Sequence, residues 1–180
     1  MQQGATNGCA GRSDPLYEAY RALAEVEAAS STLAAYARLW VKKKEEGRGE
    51  RGVARVRVGL LPSADLDGIL KALEAFDSVI DRAIVPVYAY VGAVAASTGD
   101  EDVAAVLREL ARRLREHRRA LAALRESAGS GGNAVAARAA VKAAVDLSLY
   151  MRRAVDVAAS AARQGQEKAA TRPRPGVRAG

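Results

Sequence analysis

Histidine, cysteine and large aromatics are nearly missing from this chain of 180 residues, which has one His, one Cys, one Trp and one Phe. A lone Cys9 excludes an internal disulfide scaffold. One His and one Cys cannot furnish a zinc site built from those residues. A di-iron carboxylate bundle needs Glu-x-x-His on two helices, and the residue three before His117 is Leu114. Few large aromatics argue against a β-sandwich. A long apolar run is also missing: the longest uncharged stretch, between Arg82 and Asp100, is 17 residues, with Pro86 and Gly92 and no Leu. A membrane span needs about 20 predominantly apolar residues, so this stretch reads as a buried central helix and no membrane is expected. Residues 1–12 lack the apolar core of a signal peptide and read as a flexible tail. The expected location is cytoplasmic, or inside a virion if the protein is viral. There is no Gly-x-Ser-x-Gly elbow. GSGGN (129–133) neither follows a strand nor ends in Lys-Ser/Thr, so it reads as an interhelical turn rather than a phosphate loop. The expectation is a protein that is not an enzyme, with no cofactor and no metal.

What the chain does have is alanine and arginine. It holds 41 Ala, and 22 of its 28 basic residues are Arg, against 21 acids, for a net charge of +7. Few Asn and Gln beside so much Arg also suit a thermophile. Leu16, Tyr20, Leu23, Val26, Leu33, Ala37 and Trp40 recur at helical spacing after Ser13-Asp14-Pro15, where Ser13 is the expected cap. This first helix should end near Lys44. A second helix opens at Ser63, with Leu66, Leu73, Ile80, Val87 and Val94 every seven residues; Pro86 predicts a kink. It should stop near Ser97. The third, after Thr98-Gly99-Asp100, carries the cleanest stripe: Val103, Leu107, Leu110, Leu114, His117, Leu121 and Leu124. The fourth, with Asn133 as its expected cap, is Ala-rich, with Val135, Val141, Val145, Leu149, Met151 and Val155 as its large apolar groups and Gly165 as its expected end. The fold class is therefore all-α: four long helices in an antiparallel bundle over 13–165. Residues 47–62 form a basic Gly/Arg connection, where Ala54, Val56, Val58 and Leu60 alternate as in a lone strand or lie in a loop. Residues 166–180 read as a basic tail.

Charge is distributed unevenly. The second helix is acidic, with Asp65, Asp67, Glu74, Asp77 and Asp81 against Lys71 and Arg82. Asp77 and Asp81, one turn apart, form a solvated face or could hold a cation. Basic residues cluster in three places: Lys42, Lys43, Lys44, Arg48, Arg51, Arg55 and Arg57; then Arg112, Arg113, Arg115, Arg118 and Arg119; then Arg163, Lys168, Arg172, Arg174 and Arg178. Arginine donates paired hydrogen bonds to phosphate, and each phosphate contact releases counterions. A basic connection, helix and tail together suit a nucleic-acid backbone. With so few aromatics to stack bases, binding should ignore sequence. A homo-oligomer or a subunit of a larger assembly is expected, and a coat or nucleocapsid protein of an archaeal-type virus would use the same features. The plain alternative is a protein–protein adaptor bundle with a solvated Arg-rich surface.

Two short stretches resemble known families. Arg112 and His117, as Arg-x4-His, resemble the catalytic motif of HEPN ribonucleases, although Arg113 stands where that family has a small polar residue. The resemblance implies a ribonuclease using Arg112 and His117 at a dimer cleft. Leu147-Ser-Leu-Tyr150-Met-Arg-Arg153-Ala resembles the closing helix of the small α-helical subunits of type III CRISPR effector complexes. LPSADLDGILKALEAF (61–76) is similar to another segment of that family, with Asp67-Gly68 in place of its Asn-Gly. This resemblance implies a non-catalytic subunit stacked along a guide–target duplex.

Overall fold

A computed structural model describes the backbone of residues 14–46, 63–128 and 134–171, and the side chains of 14–35, 66–128 and 134–171. It contains four helices: α1 (Pro15–Glu46), α2 (Ser63–Thr98), α3 (Glu101–Ala128) and α4 (Ala134–Ala170). Among the described residues there is no strand. Ser13, Asn133 and the alternating segment at 53–60 lie outside them.

The helix ends follow local chemistry. Asp14, rather than Ser13, caps α1: its Oδ1 accepts the Leu16 N–H at 3.0 Å, with Pro15 in the first turn. The α2–α3 turn is closed on both sides. Gly99 adopts φ +65° and donates its N–H to the Ala95 carbonyl, ending α2 in the left-handed conformation that glycine tolerates. Asp100 Oδ1 then accepts the N–H groups of Asp102 (2.9 Å) and Val103 (3.2 Å), starting α3. α2 runs through Pro86 as one continuous helix. α4 does not stop at Gly165 as expected but continues to Ala170. A glycine inside a helix costs about 1 kcal/mol relative to alanine, and the Gln-Glu-Lys-Ala-Ala that follows favours helix. Thr171 Oγ1 finally donates to the Glu167 carbonyl at 3.0 Å.

α1 packs on α2 and α4, α3 packs on the same two, and α1 and α3 do not touch each other among the described residues. α2 and α4 meet across the middle. The cross-section is a rhombus with α2 and α4 on its short diagonal. Neighbours run antiparallel, because Asp81 pairs with Arg118 while Glu74 pairs with Arg125. The same reversed order holds for Tyr20 with Asp156 and Glu27 with Arg152.

The heptad residues Leu66, Leu73, Ile80, Val87 and Val94 are all buried, with Ile69 and Phe76 between them. On α3, Val103, Val106, Leu110, His117, Leu121 and Leu124 are buried, while Leu107 and Leu114 are half-buried. On α4, Val135 and Leu149 are 63% and 66% exposed, while Ala137, Ala140, Ala144, Ala154 and Ala158 are fully buried. The helical period selects a face carried mainly by alanine, filled out by Leu147, Met151 and Val155. Small side chains let α4 sit close to α2. Replacing Ala158 with Leu should therefore overpack this contact and cost about 1–3 kcal/mol. The same change at exposed Ala139 should stay within about 0.5 kcal/mol. Urea unfolding of the two variants measures the difference.

Candidate functional site

α3 is the helix with the most exposed arginine, and its position explains which arginines find partners. One flank faces α2. There Arg118 donates to Asp81 Oδ1 at 2.6 Å and Arg125 to Glu74 Oε1 at 3.2 Å. The flank toward α4 carries Arg113. It reaches Glu109 at 3.0 Å and Asp146 at 3.9 Å, and lies over the Tyr150 ring, 5.0 Å from its centroid. Arg112 donates to both oxygens of Glu109, at 2.7 and 2.6 Å, and to Glu116 at 3.2 Å. The hydrogen bonds from Arg112, followed by those from Arg113, hold the Glu109 carboxyl down at about 2.

The third side of α3 faces solvent. Arg108, Arg112, Arg115 and Arg119 fall on it at steps of four, three and four, which places them on one side of a 3.6-residue helix. Arg108, Arg115 and Arg119 are exposed and form no ion pair with any acid among the described residues. They spread over eleven residues, about 16 Å of helix. Arg115 and Arg119 were expected to contact nucleic acid; Arg108 is an addition. Its signal was present in the sequence, since it precedes Arg112 by one turn and Arg115 by two.

The other expected contacts divide. Lys42, Lys43 and Lys44 lie on the last turn of α1, beyond its described side chains. Arg48, Arg51, Arg55, Arg57, Arg172, Arg174 and Arg178 lie outside the described residues. Arg163 donates to Ser160 Oγ at 3.4 Å, and Lys168 is exposed near the end of α4. Arg152 of the CRISPR-like stretch is committed to Glu27 and Asp156, and Arg153 stacks at 6.0 Å on Tyr150.

The structure does not bring Arg112 and His117 together. Arg112 points to solvent, whereas His117 has no exposed surface and lies with its ring edge-on to Phe76, at 5.4 Å between centroids. Asp77 and Asp81 do not share a cation. Asp81 is taken by Arg118, and Asp77 places Oδ1 3.3 Å from His117 Nε2. That contact is too far off line for a hydrogen bond, so both ring nitrogens and Asp77 Oδ1 are buried without one. Among the described residues no three His, Cys, Asp or Glu side chains converge as a metal site would require. A groove of about 530 Å³ runs along α4 beside the α2–α3 turn. Its charges are largely occupied, Arg152 with Asp156 and Asp100 in capping α3.

No protein-family model matches the chain, and neither a curated protein nor a solved structure matches it.

The pH behaviour of His117 follows from its burial. Removal from water lowers its pKa from the ordinary 6.5, against the opposing pull of the Asp77 carboxylate. The folded state then holds fewer protons than the unfolded chain between the folded value and 6.5. Stability is therefore full above that window and falls as the pH drops through it. In urea unfolding over a pH series, His117→Leu should remove this acid limb, whereas Asp77→Asn should extend the loss to lower pH.

Proposed function

We propose that this chain is a non-catalytic assembly protein that holds the backbone of nucleic acid and associates with copies of itself. The observation that carries the reading is the set of Arg108, Arg115 and Arg119, exposed on one side of α3 and in no ion pair with an acid among the described residues. Unpaired guanidinium groups in a row match a polyanion, because each can grip a phosphate with two parallel hydrogen bonds. Arg112 lies in the same row and adds to it if phosphate displaces Glu109. The basic residues at 48–57 and 172–178 add to the positive charge of the chain. Among the described residues no exposed ring lies along this row to stack a base, so the contacts should fall on phosphate and sugar and carry little sequence preference.

Two settings fit this reading. A small subunit of a CRISPR-type ribonucleoprotein would lay the row along a guide–target duplex; a viral coat protein would wrap a genome with it. The ribonuclease reading is less favoured, because a buried His117 facing away from Arg112 does not offer a shared phosphate cleft.

Fluorescence anisotropy with duplex and single-stranded oligonucleotides, repeated across a salt series, tests the proposal. The logarithm of the affinity should fall linearly with log salt, and the Arg108→Ala/Arg115→Ala/Arg119→Ala variant should flatten that slope by about 2–3 units on duplex. Binding that is absent, or unchanged in slope in the triple variant, would sink it.

A further inference from the structure

Two acids of α2 face two basic groups of α3. Asp77 and Asp81 stand one turn apart on α2, and His117 and Arg118 are consecutive on α3. Arg118 donates to Asp81 Oδ1 at 2.6 Å, and His117 Nε2 lies 3.3 Å from Asp77 Oδ1. The two contacts differ in their surroundings. Arg118 and Asp81 are more than half exposed, so the guanidinium is open to an outside ligand. His117 has no exposed surface, and among the described residues neither its ring nitrogens nor Asp77 Oδ1 has a hydrogen-bond partner. Interiors normally pair their polar atoms, and this spot does not. Its charges are also out of balance: with a neutral ring, two carboxylates face one guanidinium. Burial holds the ring neutral against the pull of Asp77, while Arg118 acts with burial and Asp81 against it. Other charged groups on the packed elements are engaged elsewhere. On α4, Lys142 pairs with Asp146, which Arg113 also approaches. On α2, Glu74 is held by Arg125, and Arg82 lines a groove toward α1, a helix that does not touch α3.

We propose that the loss of Arg118 to a phosphate is coupled to the uptake of one proton by His117, so that the chain grips nucleic acid more tightly as the pH falls. The coupling rests on the nucleic-acid reading of α3 and adds its regulation. When a phosphate draws the guanidinium away, Asp77 and Asp81 are left one turn apart with no cation between them. A proton from solvent then gives the ring its second N–H and a positive charge against Asp77, which halves the excess of negative charge. Phosphate binding thus moves the titration of the ring to higher pH. The bound chain holds more protons than the free chain between the two midpoints, and affinity rises as the pH falls through that interval. Linkage is reciprocal, so protonation favours phosphate by the same factor as phosphate favours the proton. His117 is the sole histidine of the chain. No other side-chain type ordinarily changes its charge between about pH 5 and 8, so the effect can be traced to one ring. Arginines of the solvent row stay charged over this whole range and supply binding that does not depend on pH.

The single imidazole can be followed by NMR in the full chain. Its titration midpoint should move to higher pH in Arg118→Ala and, in the unaltered chain, on addition of a duplex oligonucleotide. The oligonucleotide should add little further movement in Arg118→Ala, because there Asp81 is already free of its cation. A phosphate acting only through its own field would move both chains alike, and that result would overturn the coupling, as would a midpoint that neither change moves. Fluorescence anisotropy at constant ionic strength should show binding about fivefold tighter at the acid end of a series from about pH 8 to 5. Both His117→Gln and Arg118→Ala should flatten this profile. Arg118 is more than half exposed, so its variant keeps the fold even where the core variant does not. A profile that Arg118→Ala leaves unchanged would overturn the coupling. Binding that is constant over the series removes the coupling alone, whereas binding absent at every pH removes the functional reading with it.

Discussion

Close packing against α4 constrains the rest of the architecture. It rests on alanine: the face that α4 turns inward holds Ala137, Ala140, Ala144, Ala154 and Ala158, none with exposed surface. Interiors pack close to crystal density, so small side chains on one helix draw its neighbour in. With α2 and α4 on the short diagonal, α1 and α3 are driven to the far corners, where they cannot touch. Two consequences follow for charge. α3 meets acids only along its two flanks, Asp81 and Glu74 on one side and Asp146 on the other. Among the described residues its third side meets no other helix, and Arg108, Arg115 and Arg119 there form no ion pair. α2, in turn, becomes the centre of a broad face rather than a corner.

The stripe of α3 was legible because large apolar residues alternate with charged ones, and such a contrast leaves one choice of inward face. α4 was less legible because alanine suits a buried face and a solvated face equally well. Weighting the larger apolar groups points to Val135 and Leu149, which the helical period instead turns to solvent. Gly165 misled for a related reason. Glycine ends a helix when the chain adopts the left-handed conformation there, as Gly99 does at φ +65°, and composition alone does not distinguish the two cases. Among basic residues, cluster counting picked out Arg112 to Arg119 as a unit. The fold divides that unit by the direction each side chain takes, and Arg108, isolated in the sequence, joins the solvent side.

His117 shows a different limit. Its place in the stripe of α3 was plain from spacing, and burial followed. What spacing cannot show is whether a buried ring finds partners. Here the nearest acid, Asp77, lies at 3.3 Å but off line, so neither nitrogen is satisfied. The charged groups acting on the ring are Asp77 and Asp81 from α2 and Arg118 from its own helix. An unsatisfied buried polar group costs about 1–3 kcal/mol, so a leucine would fit the period better. The histidine is a local departure from an otherwise consistent core, placed where α2 and α3 meet.

The unpaired arginines do not set the outer limit of an anion-binding surface. Arg112 is tied to Glu109 and Glu116 along its own helix, and Arg118 to Asp81 across to α2. Both arginines are more than half exposed, and exposed ion pairs contribute only about 0–1 kcal/mol. A phosphate can therefore compete for either guanidinium at small cost. The competition leaves a trace in salt dependence. The ions released are cations condensed on the nucleic acid, and a carboxylate freed when its arginine turns to phosphate attracts cations back, so such an arginine adds affinity without adding its full share of slope. The slope then reports the arginines left free by the fold, and the affinity reports the wider set. Keeping α3 at a corner of the rhombus creates the first group, and the acids of α2 and of α3 itself govern access to the second.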